Sequence, residues 1–304
     1  MTQNRPTLQF GIAIDPATDD PQDPFWRAQI ADENGIELVT CMDHPYNRRL
    51  FDTWTLLTAL ALSTERVHVA GNVLNLPLRP PAMLAKQAAT LDVLSDGRFE
   101  MGLGAGGVWD GIAAFGGPRR SPGEAYGAFR DALHILRGMW ENAGGSFTYE
   151  GDYYQVHGAR PGPAPAHSIP IWVGAAGPRM MRLLGRMADG LFVSRNYHPP
   201  ERLHRFNSLI DESAEEAGRD PAAIRRGYNL MGVLDVGRDD TKASDLDDNY
   251  LQGDAAHWTE KIVEWRHDYR QDTFIFWPVA GNQTVQIEAF VHDVVPAVRE
   301  ALAS

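Results

Sequence analysis

The chain has 304 residues, 43% of them hydrophobic, a formal net charge of −12 and a single cysteine. That length suits one large α/β barrel or two ordinary domains, and the hydrophobic share supports a substantial core. The acidic balance argues against a broad nucleic-acid surface, the lone Cys41 excludes a disulfide framework or cysteine metal cluster, and no window approaches the ~18 uninterrupted apolar residues of a membrane span.

Met1–Arg5 leads into a strand rather than an apolar signal segment, so a soluble cytoplasmic protein is expected. Leu8–Asp15 reads as that first strand, followed by a helix through Phe25, Trp26 and Ile30 that stops near Asn34-Gly35. Ile36–Asp43 is a second strand, with a loop His44–Arg49 and a helix from about Asp52 to Ser63. The β-branched run around Val67, Val69 and Val73 makes a third strand. It ends in a proline-punctuated loop, and Pro80 and Pro81 can sit only before or in the first turn of the helix that Met83, Leu84, Gln87, Ala88 and Leu91 continue. Phe99–Gly104 is the fourth strand, and the helix after its long loop puts Phe129, Ala132, Leu133, Leu136 and Trp140 on one face.

Phe147–Val156 reads as a small hairpin, and the Pro-rich Ala159–Pro165 returns the chain to a fifth strand, Ile169–Gly174, with a helix from Pro178 to Met187. Leu191–Ser194 is the sixth strand, with a helix over Glu201–Ala217 ending at Gly218. Arg226–Val236 is the seventh, followed by an acidic and helical excursion to Tyr269. In that excursion Asp239-Asp240 and Asp245-Leu246-Asp247-Asp248 read as solvated loop. An EF-hand counted from Asp245 fails because Tyr250 and Ala256 stand where Gly and Glu are needed. Thr273–Pro278 is the eighth strand, closed by a helix carrying Ile287, Phe290, Val291, Val294 and Val298. Eight strands alternating with helices predict one (β/α)8 TIM barrel over residues 1–304, with insertions after strands four and seven and its chemistry at the carboxyl ends of the strands.

Those ends narrow the chemistry. Strand one ends in Asp15-Pro16 with no His-x-His pair, which disfavours a metal-dependent hydrolase, and no metal is expected. No facing pair of carboxylates of the glycosidase kind is singled out. Gly102-Leu103-Gly104-Ala105-Gly106-Gly107 fits G-x-G-x-x-G, but it follows the fourth strand rather than lying in a first βα turn that feeds a helix, so a dinucleotide fold is disfavoured. Plain turn chemistry and close approach of the backbone to a flat ligand both account for such a run, and the second is the better reading. Gly174-Ala175-Ala176-Gly177-Pro178-Arg179 is a small-residue helix start suited to a phosphate, with Arg179, Arg182 and Arg195 as candidate cations. Of the ten histidines, His44 beside Asp43 at the end of strand two is the best placed for proton transfer.

Met42-Asp43-His44, Asn72–Leu74 through Leu84–Asp92, Ser95–Phe99, Gly102–Gly106, Ile171–Gly174 and Ala188–Gly190 together resemble the luciferase-like monooxygenase superfamily, and within it the branch that uses the deazaflavin coenzyme F420. The resemblance covers Phe10 to about Ser194. It implies a flat ring lying across the strand ends against a bulge in strand three that contains a cis peptide bond at Asn72-Val73. It also implies a cofactor site made of Asp43, Asn72, Val73, Gly104, Ala105, Gly106, Gly174, Ala175, Ala176, Gly177, Arg179 and Arg195, with His44 and Asp43 as catalytic residues. Gly107 stands where some relatives have a glutamate, and Arg48 where an aromatic is expected, so sugar-phosphate chemistry is not carried over.

The expected function is therefore transfer of a hydride between F420 and a small organic substrate. The alternatives are an FMN-dependent monooxygenase and a non-catalytic flavin-binding protein. A homodimer accords with the family resemblance, and Trp109, Phe115, Tyr154 and Trp258 are expected to line an apolar substrate cavity.

Overall fold

A computed structural model describes residues 6–241 and 246–303; Asp245, the first residue of the second acidic run, lies outside them. Strands and helices alternate from the start: β1 (Gln9–Ile14), α1 (Asp23–Glu33), β2 (Leu38–Cys41), α2 (Thr53–Ser63), β3 (His68–Gly71), β4 (Leu74–Asn75), α3 (Pro81–Leu94) and β5 (Phe99–Gly104). Then come α4 (Trp109–Ala114), α5 (Pro122–Glu141), the hairpin β6 (Phe147–Glu150) and β7 (Gln155–Ala159), β8 (Ile171–Gly174), α6 (Pro178–Met187), β9 (Gly190–Ser194), α7 (Glu201–Glu216) and β10 (Arg225–Leu234). The chain ends with β11 (Leu251–Gly253), α8 (Ala255–Asp268), β12 (Thr273–Pro278), α9 (Gln283–Ala289) and α10 (Val295–Ala303).

The sheet runs β12-β1-β2-β3-β5-β8-β9-β10, and β10 pairs in parallel with both β9 and β12, which closes it as the predicted barrel. Two details were not expected. The seventh strand gains a short parallel partner, β11, whose Leu251 lies against Gly232; a Cβ on Gly232 would stand 1.9 Å from the Leu251 carbonyl oxygen. A three-residue strand is too short to show an alternating pattern, which is why the acidic excursion concealed it. The final helix is broken by a π segment at Phe290–Val294, although its apolar residues face the core as expected. Among the described residues no helix is long and apolar enough to cross a membrane.

Most of the apolar core lies between barrel and helices, while a smaller cluster of Ala13, Leu38, Ala70, Trp172, Phe192 and Ile275 fills the inside of the barrel. Trp172 and Phe192 stack there, 4.3 Å between ring centroids and 5° from parallel, and plug the barrel below its mouth. Arg98 fastens α2 to the start of β3, donating to the carbonyls of Ala61 (2.7 Å), Thr64 (3.1 Å) and Val67 (3.1 Å). Charge-assisted bonds to otherwise unpaired helix-end carbonyls are worth more than neutral ones. Arg98→Met is expected to lower stability by about 2 kcal/mol, read as a drop in the urea midpoint at constant m-value.

Candidate active site

The strand-three bulge sets the floor of the site. Ala70 pairs with Glu100 and Leu74 with Leu103, so four steps along one strand meet three along the other, and one residue is extra. The extra length is taken up at Asn72-Val73, whose peptide bond is cis as the resemblance implied. Val73 is pushed inward, and the neighbouring strands make room for it. A Cβ on Gly104 would come within 2.6 Å of a Val73 methyl, and one on Gly174 within 2.7 Å. These two glycines therefore seat the valine. Gly174→Ala is expected to cost about 1–3 kcal/mol by overpacking against a short branched side chain. Gly107→Ala, where nothing lies within 4 Å, is expected to stay within about 0.5 kcal/mol; paired urea melts check both.

A cavity of about 470 Å3 opens above this floor, lined by Met42, His44, Asn72, Val73, Gly174, Ala175, Ala176, Phe192, Val193, Ser194, Tyr197, His198, Asn229, Met231 and Trp277. Six of the residues expected at the site thus come together: His44, Asn72, Val73, Gly174, Ala175 and Ala176. At its base Asn72 donates to Asn229 Oδ1 (2.8 Å) and Asn229 donates back to Asn72 Oδ1 (3.2 Å) and to Ser194 Oγ (3.0 Å). Such a pair satisfies the amides and leaves a polar patch in an otherwise apolar floor. At one wall, Gly177 opens α6 with no side-chain cap, so the first turn presents unpaired N–H groups to the small residues Ala175 and Ala176.

The remaining expected residues lie beside the cavity. Asp43 is 2% exposed and is held by Arg79, which donates to both carboxylate oxygens at 3.0 Å, and by the Asn75 N–H at 2.8 Å. Arg79 also reaches Asp52 (3.0 Å), the N-cap of α2. The carboxylate thus anchors the loop that carries His44. Gly106 sits against Pro77 and Trp109 in a left-handed turn (φ 97°), with Ala105 half-buried beside it. Arg179 lies over the Tyr126 ring, 4.2 Å from its centroid, near the start of α6. Arg195 turns to the Asp248 carbonyl (3.1 Å) and the face of Trp265, not to α6. Arg182 points to solvent from α6.

His44 is exposed at the cavity mouth, and its Nδ1 lies 2.6 Å from the Tyr46 hydroxyl. Desolvation by the cavity wall pushes its pKa below the ordinary value, and the nearby Asp43 charge opposes this in part. The four loop aromatics do not form the cavity. Trp258 is fully buried in the core, edge-on to Phe276 and Phe290; Phe115 is exposed; Tyr154 packs under Arg120; Trp109 closes on Gly106. Aromatics in long loops were as free to fill the barrel–helix layer as its mouth, and the larger burial lay in that layer.

Sequence reading missed Tyr46, Ser194, Tyr197, His198, Asn229, Met231 and Trp277. Asn229 and Met231 stand at alternate positions of one strand, so their common inward face was legible, but they lie within the strand where only its end was searched. Tyr197 and His198 had no signal of their own. His198 lies in the turn after β9, four strands round the barrel from β2, and lines the same cavity as His44.

A family model described as luciferase-like monooxygenase matches residues 8–283. The F420-dependent glucose-6-phosphate dehydrogenase of Gordonia bronchialis is 28% identical over 232 residues, covering 72% of this chain and 66% of that protein, so the chain spans just under two thirds of that relative. The 5,10-methylenetetrahydromethanopterin reductase of Archaeoglobus fulgidus is 28% identical over 297 residues, covering 97% of this chain and 78% of that protein. Among solved structures, an F420-dependent secondary alcohol dehydrogenase in complex with an F420-acetone adduct superposes with a TM-score of 0.84 at 21% identity, over 97% of this chain and 100% of that one.

Proposed function

The chain belongs to the luciferase-like monooxygenase family, and on that premise we propose that it is an oxidoreductase that uses the deazaflavin coenzyme F420 to pass a hydride to or from a small organic substrate. One observation carries this reading: Val73, seated on Gly104 and Gly174, forms a raised apolar platform between an uncapped helix start and an imidazole. A flat ring with an anionic tail fits those three features. Ala175, Ala176, Gly177 and the first turn of α6 would hold the tail, since oriented N–H groups and a helix N-terminus favour an anion. Arg179 adds charge nearby. Val73 would back the ring, and the Asn72–Asn229–Ser194 patch offers partners for its polar edge. The names of the relatives, F420-dependent dehydrogenases and a reductase, support the same choice.

When bound, the deazaflavin supplies a two-electron hydride donor or acceptor. The protein orients the partners, excludes water from the cavity and moves the proton that accompanies the hydride, for which His44 is the group at hand. Asp43 would act through position, fixing the loop that carries His44. A homodimer interface on α2 and α3 would cover some of their exposed apolar residues, Leu62, Met83, Val93 and Leu94. Spectral titration of the purified protein with F420 and with FMN tests the cofactor. Tight F420 binding is expected, and binding of FMN alone would replace this reading with the monooxygenase one.

A further inference from the structure

We propose that Tyr46 is a positioning residue for the proton transfer, completing a relay in which its hydroxyl serves Nδ1 of His44 while Nε2 serves the substrate oxygen. The inference rests on the hydride-transfer reading. The hydroxyl and Nδ1 are 2.6 Å apart, close to the ordinary O–H···N limit, with ring centroids 5.5 Å apart. The phenol ring is held in place from the other side, where a Cβ on Gly111 of α4 would meet it at 2.6 Å. The tyrosine is thus clamped between an imidazole and a helix and is not a loosely placed loop residue.

The relay answers a specific difficulty. A neutral imidazole has one N–H; if it gives that proton away from Nε2 it must gain one at Nδ1 or become an anion. Desolvation keeps His44 neutral to lower pH than usual and keeps the Tyr46 phenol protonated, the Asp43 charge adding to the second effect. In carbonyl reduction the reduced cofactor would supply the hydride for the new C–H bond at the carbonyl carbon as the C=O π bond breaks. Nε2–H protonates the oxygen, the Tyr46 proton passes to Nδ1, and solvent reprotonates the half-buried phenol. Oxidation of an alcohol runs the same transfers backwards. The charged neighbours are paired elsewhere: Asp43 and Asp52 with Arg79, and Asp110 of α4 with Arg119. Tyr197 and His198 are the other titratable groups on the cavity wall, and His198 too is held below its ordinary pKa by desolvation and by Arg202.

Two measurements on wild type and Tyr46→Phe, which keeps the ring against Gly111, test the relay. The first needs no cofactor: 15N spectra of the imidazoles are expected to show Nδ1 of His44 as a hydrogen-bond acceptor in the wild type and a mixture of tautomers in the variant. An unchanged His44 spectrum would overturn the proposal whatever the activity. The second is the pH profile of carbonyl reduction with reduced F420. Wild-type turnover is expected to stay level above the His44 pKa. In the variant it should fall about tenfold per pH unit there, because only the imidazolium is left to donate, with the F420 dissociation constant unchanged. Parallel profiles would also overturn it. Failure of the wild type to bind F420 at all would instead sink the cofactor reading, and the spectra would still decide the Tyr46 contact.

Discussion

Alanine in place of His44 is expected to lower turnover by ~10²–10⁴-fold, the usual contribution of a positioned general acid or base, while the F420 dissociation constant changes little. The separation is expected because the tail would be held at α6, which follows β8 three strands round the barrel from β2, and the ring would be backed by Val73 rather than by the imidazole. A matching wild-type signature follows from electrostatics. Desolvation lowers the His44 pKa, so the base form needed for alcohol oxidation persists to lower pH, and the acid limb of kcat/KM is expected below the ordinary value of 6.5. The same depression means that the folded state resists protonation at His44. Its contribution to stability is therefore present above pH 6.5 and is lost as the pH falls from there through the lower pKa of the folded state. Unchanged turnover in His44→Ala would remove the imidazole from the mechanism.

Asp43→Ala is expected to destabilise the protein by about 3–5 kcal/mol, because it leaves the Arg79 guanidinium partly buried without its bidentate partner and the Asn75 N–H without its acceptor. Urea unfolding measures the loss. Adding Arg79→Met to the same chain should recover part of it, since no unpaired charge then remains and the apolar stem is kept. The double variant separates stability from function: a well-folded barrel with near wild-type turnover would mean that the carboxylate serves the fold alone, and poor turnover that the site also depends on it. A loss below about 1 kcal/mol in Asp43→Ala would show that the pair is solvated enough for water to replace it.

What the sequence alone determined is the barrel, its order of elements and several of the residues that line its cavity. Valine- and isoleucine-rich runs, prolines at helix starts and glycines at helix stops are local signals, and they act within a few residues of where they are read. The resemblance carried by Asn72–Leu74 likewise located the strand-three bulge, and His44 and the small residues ahead of α6 were found from their positions at strand ends. The tertiary structure decided how these residues share the work. The resemblance pairs Asp43 with His44, and only the structure shows that Arg79, thirty-six positions away, holds the carboxylate. The glycine run reads locally as a close approach to a flat ligand, and only the structure shows that the space at Gly104 is taken by Val73 from another strand. Asn229, Ser194, His198 and Trp277 meet Asn72 and His44 only because the sheet closes on itself. Contacts of that kind depend on which side chains converge across some two hundred residues of chain, and no local pattern encodes them.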